Sequence, residues 1–327
     1  MSGLGFLDLV IGLVFIYLIY SLACSTIWEI IVNLSYLRGK MLKKWFHNTF
    51  DMKLGDSKTL GQHLLDHALV KGLGKSKDDS RPPSYVPAEH FSAAFLEILL
   101  SKTNSDFSYG NIKRELANTL ILPTQLRNVF LQYVAESNGK TEELRKRIEK
   151  WYDDAMNRVG GSFKKYSQRW IFIISMAIVG MTNADTINLT NYLYNNPSAR
   201  EAIANKAALF VQDSVIVNEV ERIRNLDSDT SKVPEEKILD KIVSNQEKLL
   251  NLNNEVADLK LPLGWEIESK TDATLNTILK KTMGLLITAL AVSLGAPFWF
   301  DMLNKLVNIK SSGNWRRQAS EKQENNQ

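Results

Sequence analysis

The run Leu9–Trp28, LVIGLVFIYLIYSLACSTIW, holds 20 residues without a charge, and no other stretch limits the fold as tightly. Wound as a helix at about 1.5 Å per residue, it reaches about 30 Å, the hydrocarbon thickness of a bilayer. In lipid a backbone must satisfy its own hydrogen bonds, so the run reads as a membrane helix. It does not read as a cleaved signal peptide, because Asp8 precedes it, no Lys or Arg stands before it, and it outlasts a signal core of about 7–15 residues. Ser21-Leu22-Ala23-Cys24 resembles a lipoprotein box only loosely: Leu is one place out of position and the uncharged run continues past Cys24.

Two further windows avoid charge. Thr282–Phe300 has 19 uncharged residues and closes on Phe298, Trp299 and Phe300 just before Asp301. These three aromatics are the expected interface anchors, where a headgroup belt would lie. Trp170–Ala184 has only 15 residues, a length that also suits a buried core helix. Lys164, Lys165 and Arg169 on one flank and Asp185 on the other favour the membrane.

The expected fold class is therefore all-α, a polytopic membrane protein with three transmembrane helices and helical soluble segments. The divisions are 1–37, 169–185 and 281–300 for the membrane helices, 38–168 for a cytoplasmic helical domain, 186–280 for an extracytoplasmic helical segment, and 301–327 for a tail, first amphipathic and then disordered. Charge sets the orientation. Residues 38–165 carry 22 Lys and Arg against 15 Asp and Glu, whereas 185–280 carry 11 against 16. Since basic loops stay inside, the N-terminus is expected outside and the tail inside, beside Lys305, Lys310, Arg316 and Arg317. Lys280 and Lys281 fall on the outer side of this scheme and would have to snorkel. The positive charge follows the membrane helix ends, so it marks topology and not a nucleic-acid footprint. The single Cys leaves 185–280 without a disulfide.

Helical spacing places Phe91, Phe95, Ile98 and Leu99 on one face, then Leu126, Val129, Phe130 and Tyr133, then Leu144, Ile148 and Trp151. Gly160-Gly161 is expected to break the last helix. In the outer segment Asn196-Pro197 reads as a cap and first helical position. Ile242, Leu249 and Val256 recur at heptad intervals, too few for a coiled coil. The segment reads as a helical hairpin standing on the second and third membrane helices.

Few residues suggest chemistry. Gly72–Ser76 ends like a phosphate-binding loop, but Leu69 stands where its first Gly should be. His63, Asp66 and His67 share a face without a third or fourth metal ligand nearby. No cofactor and no metal is expected, and the chain reads as a non-enzyme. Gly284, Thr288, Ala291 and Gly295 form a small-residue stripe on the third membrane helix. Such a stripe lets helices approach closely, either within the chain or as an oligomer face. Pro297 should bend that helix near Ser293. Asp185 is the candidate polar site at the membrane boundary. Beyond Asp301, Leu303, Leu306 and Val307 share a face, suited to the inner membrane surface.

The segments LDLVIGLVFIYLIYSLACSTIWEIIVNL, RPPSYVPAEHFSAAFLEIL, WYDDAMNRVGGSFKKYSQRW with its following NADTI, and SLGAPFWFDMLNKLVNIKSSG resemble an uncharacterised bacterial inner-membrane protein family. The resemblance implies a multi-pass protein of the bacterial inner (plasma) membrane and carries no catalytic residues. The expected function is a non-enzymatic anchor or adaptor, with the lipid bilayer and a cytoplasmic protein as partners. The alternative is a homo-oligomeric, pore-forming or membrane-perturbing effector in defence or cell death.

Overall fold

A computed structural model describes residues 3–53, 58–73, 82–101, 106–212, 217–218, 220–221, 223–224, 261–265 and 275–324. The described residues are all-α and form 12 helices. They are α1 (Gly3–Leu34), α2 (Leu37–Thr49), α3 (Leu60–Asp66), α4 (Ala68–Lys71), α5 (Ala88–Ser101), α6 (Tyr109–Asn118), α7 (Thr124–Glu136), α8 (Thr141–Thr182), α9 (Thr186–Asn195), α10 (Pro197–Phe210), α11 (Leu275–Ser293) and α12 (Ala296–Glu324). Among the described residues two helices, α1 and α11, are long and apolar enough to cross a membrane. A third span is completed if α8 and α9, bent by 52° across their break, count as one. Two to three candidate spans suggest a multi-pass membrane protein. The heptad residues Ile242, Leu249 and Val256 lie outside the described residues, as do Gly74–Ser76.

The chain divides into two compact units. Unit 2, residues 32–165 with a short later stretch, is a helical bundle around an aromatic core. Each expected face is turned inward: Phe91, Phe95, Ile98 and Leu99 from α5, Phe130 from α7, and Leu144 and Ile148 from α8 are buried. Tyr152 stacks on Phe91 with ring centroids 4.2 Å apart, and Phe130 meets Phe95 and Trp151 edge to face at 5.3 and 5.1 Å. Burying each such ring contributes about 1.5–3 kcal/mol. Its helices approach closely at two glycines. A Cβ on Gly61 would overlap the Phe46 carbonyl, and one on Gly39 would come within 2.5 Å of the Pro82 carbonyl oxygen.

The break expected at Gly160-Gly161 does not occur, since α8 runs unbroken for 42 residues. Glycine weakens a helix by only about 1 kcal/mol, and here the packing of Met156 and Phe163 on either side of the pair, both buried, outweighs that cost.

Unit 1 gathers residues 1–31, 166–228 and 238–327 around the N-terminal half of α1. Leu9, Ile11, Val14, Phe15, Ile16, Tyr17 and Leu18 are all buried, although they point to every side of the helix. An apolar circumference needs cover on all sides, and α9, α10, α11 and α12 supply it. Gly12 lies against Leu193 of α9 and Ile203 of α10, and Phe15 meets Phe210 at 5.1 Å. Of the segment expected as a hairpin standing on the second and third membrane helices, α9 and α10 therefore lie on α1. Asn196 and Pro197 do start α10, as cap position and first residue.

Contacts along α1 give each helix a direction. Trp28 stacks with Trp170, Tyr20 meets Thr182 and Tyr17 meets Thr186, so α8 runs antiparallel to α1. On the other side Trp299 packs on Tyr17 at 4.8 Å and Lys310 pairs with Asp8 at 2.8 Å. Helix α12 therefore runs back toward the start of α1, burying Leu303 and Val307 in the core of unit 1. The sequence reading sends these residues to a membrane surface and ends order near Ser311; in the structure they pack on protein, and the helix continues to Glu324.

Candidate functional site

The polar groups of unit 1 converge where α8 gives way to α9. Helix α8 ends because Asn183 takes the left-handed conformation (φ 53°), which Asn tolerates better than most residues. The Ala184 amide then reaches back to the Val179 carbonyl at 3.1 Å. Two more carbonyls of the last turn are met by the segment 261–265. The Gly264 amide donates to Thr182 O (2.8 Å) and the Trp265 indole to Gly180 O (2.9 Å), while Asn183 Nδ2 donates to Gly264 O (2.7 Å). Gly264 itself has φ 95°, a conformation that favours glycine.

The start of α9 is closed just as fully. Asp185 is its cap, with Oδ1 accepting from the amides of Ile187 (2.8 Å) and Asn188 (3.3 Å). The Thr186 amide donates to Thr288 Oγ1 of α11 at 3.0 Å. Because the Thr288 hydroxyl proton goes to Gly284 O (2.9 Å), Thr186 must donate to Thr288 (2.7 Å) and Tyr17 to Thr186 (2.9 Å). A one-way chain of hydroxyls thus ties α1, α9 and α11 together. Each bond polarises the next.

The Asp185 side chain is 6 % exposed, and Lys281 Nζ stands 3.8 Å from its Oδ2. The same ammonium lies 5.6 Å above the Trp265 ring. A cation, two helix-start amides and the positive end of the α9 dipole all face the carboxylate. Lys281, which the charge count leaves stranded, has these partners inside the protein.

The stripe of small residues is taken up within the chain for most of its length. A Cβ on Gly284 would overlap Asp185 Oδ1 and come within 2.5 Å of its Cγ, so only glycine admits the carboxylate. Thr288 is fully buried. Ala291 accepts from the Trp299 indole at 2.6 Å. Neighbouring carbonyls are held from the other helices: Ser175 donates to Ala289 O (3.0 Å) and Ser21 to Val292 O (2.8 Å). Gly295 is not part of the helix. Its φ of 92° ends α11 outright, where Pro297 was expected only to bend it, and Pro297 falls in the first turn of α12, where no amide is missed. Among the interface aromatics Phe298 is 44 % exposed, while Trp299 and Phe300 are turned into the core.

The remaining candidates sit in unit 2. Asp66 pairs with Lys58 at 2.7 Å, and His67 caps α4 and pairs with Glu97 at 3.3 Å. Among the described residues no three His, Cys, Asp or Glu side chains are grouped to hold a metal. The sequence reading missed Tyr17, Tyr20, Gly264 and Trp265. Tyrosines in an otherwise apolar helix were the available signal, since a buried hydroxyl needs a partner. Compared with family models, curated proteins and solved structures, the chain matches none.

The junction at Asp185 satisfies a broken helix in apolar surroundings, where each unmet amide or carbonyl costs several kcal/mol. It joins three helices by polar bonds, and its chemistry is that of a structural clasp.

Proposed function

We propose that the chain is a non-enzymatic anchor of the bacterial inner membrane, in which unit 1 is held by lipid and unit 2 docks a soluble protein in the cytoplasm. The observation that carries this reading is the use of the small-residue face of α11. Gly284, Thr288 and Ala291 are engaged by Asp185, Thr186 and Trp299 of the same chain. Met283, Leu286, Ile287, Leu290 and Leu294 are left outward, large apolar side chains suited to acyl chains and poorly suited to lining a pore. The uninterrupted basic character of 30–50 and 155–184, which contain no carboxylate, supports a cytoplasmic end for that side.

In this arrangement α1 crosses the bilayer, and α11 and α12 enter and leave on the side of its N-terminus. The ion pair of Lys310 with Asp8 supports that path for the tail, opposite to the one the charge count favours.

Two readouts test the anchor. Purified protein in dye-loaded vesicles is expected to leave the dye inside and to pass no current, and photo-crosslinkers on the exposed surface of unit 2, at Asn48 and Lys113, are expected to give one discrete adduct in cells. Dye release or stepwise conductance would replace the anchor by the oligomeric effector.

A further inference from the structure

The junction at Asp185 leaves two oxygen atoms without a hydrogen-bond donor. Asn183 is 7 % exposed, and its Oδ1 is buried with no partner among the described residues. The unmet atom is the oxygen, because the other end of the amide faces the Gly264 carbonyl at 2.7 Å, and a carbonyl only accepts. Asp185 Oδ1 accepts from the amides of Ile187 and Asn188. Its Oδ2 has only the Lys281 ammonium, 3.8 Å away and beyond hydrogen-bond reach.

These atoms belong to one closed circuit within unit 1. Asn183 is tied to Gly264, and Trp265 follows Gly264 in the chain. Lys281 Nζ lies 5.6 Å from the Trp265 ring centroid and reaches toward Asp185, which stands two residues beyond Asn183. The bond to Gly264 holds the Asn183 side chain between the helix break and the segment 261–265, so its unmet oxygen belongs to the same small space. A carboxylate oxygen, an amide oxygen and the negative face of an indole border that space, and all three attract positive charge.

The chemistry of the groups selects the ligand. Oxygen donors suit hard cations, not the metals that seek imidazole and thiolate, and among the described residues no three His, Cys, Asp or Glu side chains are grouped. One carboxylate balances one positive charge. Lys281 supplies that charge in this structure, but its side chain is 31 % exposed and ends a flexible stem. The geometry points to a binding site for a small monovalent metal cation that exchanges with the Lys281 ammonium: Asp185 Oδ2 and Asn183 Oδ1 hold the ion, and the Trp265 ring covers whichever cation is present. A break in a membrane helix suits such an ion, since the oxygens exposed there are shielded from lipid by protein. The site lies wholly in unit 1 and does not depend on what unit 2 docks, so it would stand if the anchor reading failed.

Retention of radioactive sodium or rubidium by the purified full chain in detergent, with choline as the bulk cation, tests it. The wild type should retain one of the two ions saturably. Lys281→Gln removes the tethered competitor and should tighten retention about tenfold. Lys280→Gln, an equal loss of charge at the next, exposed position, should leave it unchanged. Asp185→Asn, which keeps a side chain able to cap α9, should abolish retention, and Asn183→Ala should weaken it. Circular dichroism checks that each variant is folded; if a variant at 183 or 185 is not, the comparison of Lys281→Gln with Lys280→Gln decides. No retention of either ion by the wild type, retention that survives Asp185→Asn, no effect of Asn183→Ala, or an equal change at positions 280 and 281 would each overturn the site. Weaker retention in Lys281→Gln would refute the exchange.

Discussion

Replacing Gly284 by alanine should be costly in the wild type and harmless once Asp185 is gone. The three atoms nearest to a new Cβ at 284 all belong to the Asp185 carboxyl group, so the methyl group must expel that group from its place. Expulsion removes the cap of α9, worth about 0.5–2 kcal/mol, and the strain of an overpacked contact adds about 1–3 kcal/mol. Alanine returns about 1 kcal/mol as the better helix former. The net loss is about 2 kcal/mol, within a range of about 0.5–4 kcal/mol. In an Asp185→Ala background the three nearest obstructing atoms are absent, so Gly284→Ala should then be neutral or stabilise by up to about 1 kcal/mol. The coupling between the two sites is about 2–3 kcal/mol and of that sign. Helix content followed through a sodium dodecyl sulfate titration in mixed micelles measures all four corners of the cycle. An equal cost for Gly284→Ala in both backgrounds, or no cost in the wild type, would refute the close fit of carboxylate to glycine.

Thr288→Val should cost about 1–3 kcal/mol in the same titration, because the buried Thr186 amide loses its acceptor, whereas Thr288→Ser should be close to neutral. In unit 2, Gly61→Ala should be among the most damaging single changes, since the new methyl group meets the backbone of Phe46; loss of folded protein in expression and thermal melts is the readout. Tyr152 is buried with its hydroxyl lacking a partner among the described residues, so Tyr152→Phe should raise stability by about 1 kcal/mol in thermal unfolding. Burial also pushes the Tyr152 phenol well above its ordinary value of 10.0. Its contribution is therefore whole below about pH 10 and is lost above it, where the unfolded chain ionises and the folded one does not. Tyr152 should contribute a fall of about 1.4 kcal/mol per pH unit there, and Tyr152→Phe should make the alkaline slope shallower by that amount.

What was legible in the sequence depended on whether a residue's neighbours could be read from its own helix. Phe91, Phe95, Ile98 and Leu99 announce a buried face by spacing alone, and the face is buried. The charge-free run of α1 announces a helix that is apolar all round, and it is one. Spacing is silent about what covers such a surface. Leu303 and Val307 carry the pattern of a helix lying on a membrane, yet they are buried in the core of unit 1. Lys281 and Asp185, nearly a hundred positions apart, looked like a misplaced cation and a boundary carboxylate until the fold brought them within 3.8 Å. The break at Asn183 was hidden because its satisfaction comes from Gly264 and Trp265, on a segment with no local claim to that place. At Gly160-Gly161 the error ran the other way, because a weak local preference yielded to packing on both flanks.

The central claim is that α1 crosses a bilayer while α11 and α12 turn back beside it, so that Trp28 with Trp170 and Asp8 with Lys310 mark opposite faces. Single cysteines at Gln168 and Ser312, both exposed, report on those two faces in a Cys24→Ser background. Intact cells treated with a membrane-impermeant maleimide should label Ser312→Cys at once and Gln168→Cys only after permeabilisation. Labelling of Gln168→Cys alone would reverse the orientation and keep the path of the chain; equal labelling of both, or protection of both until the membrane is opened, would contradict the path itself.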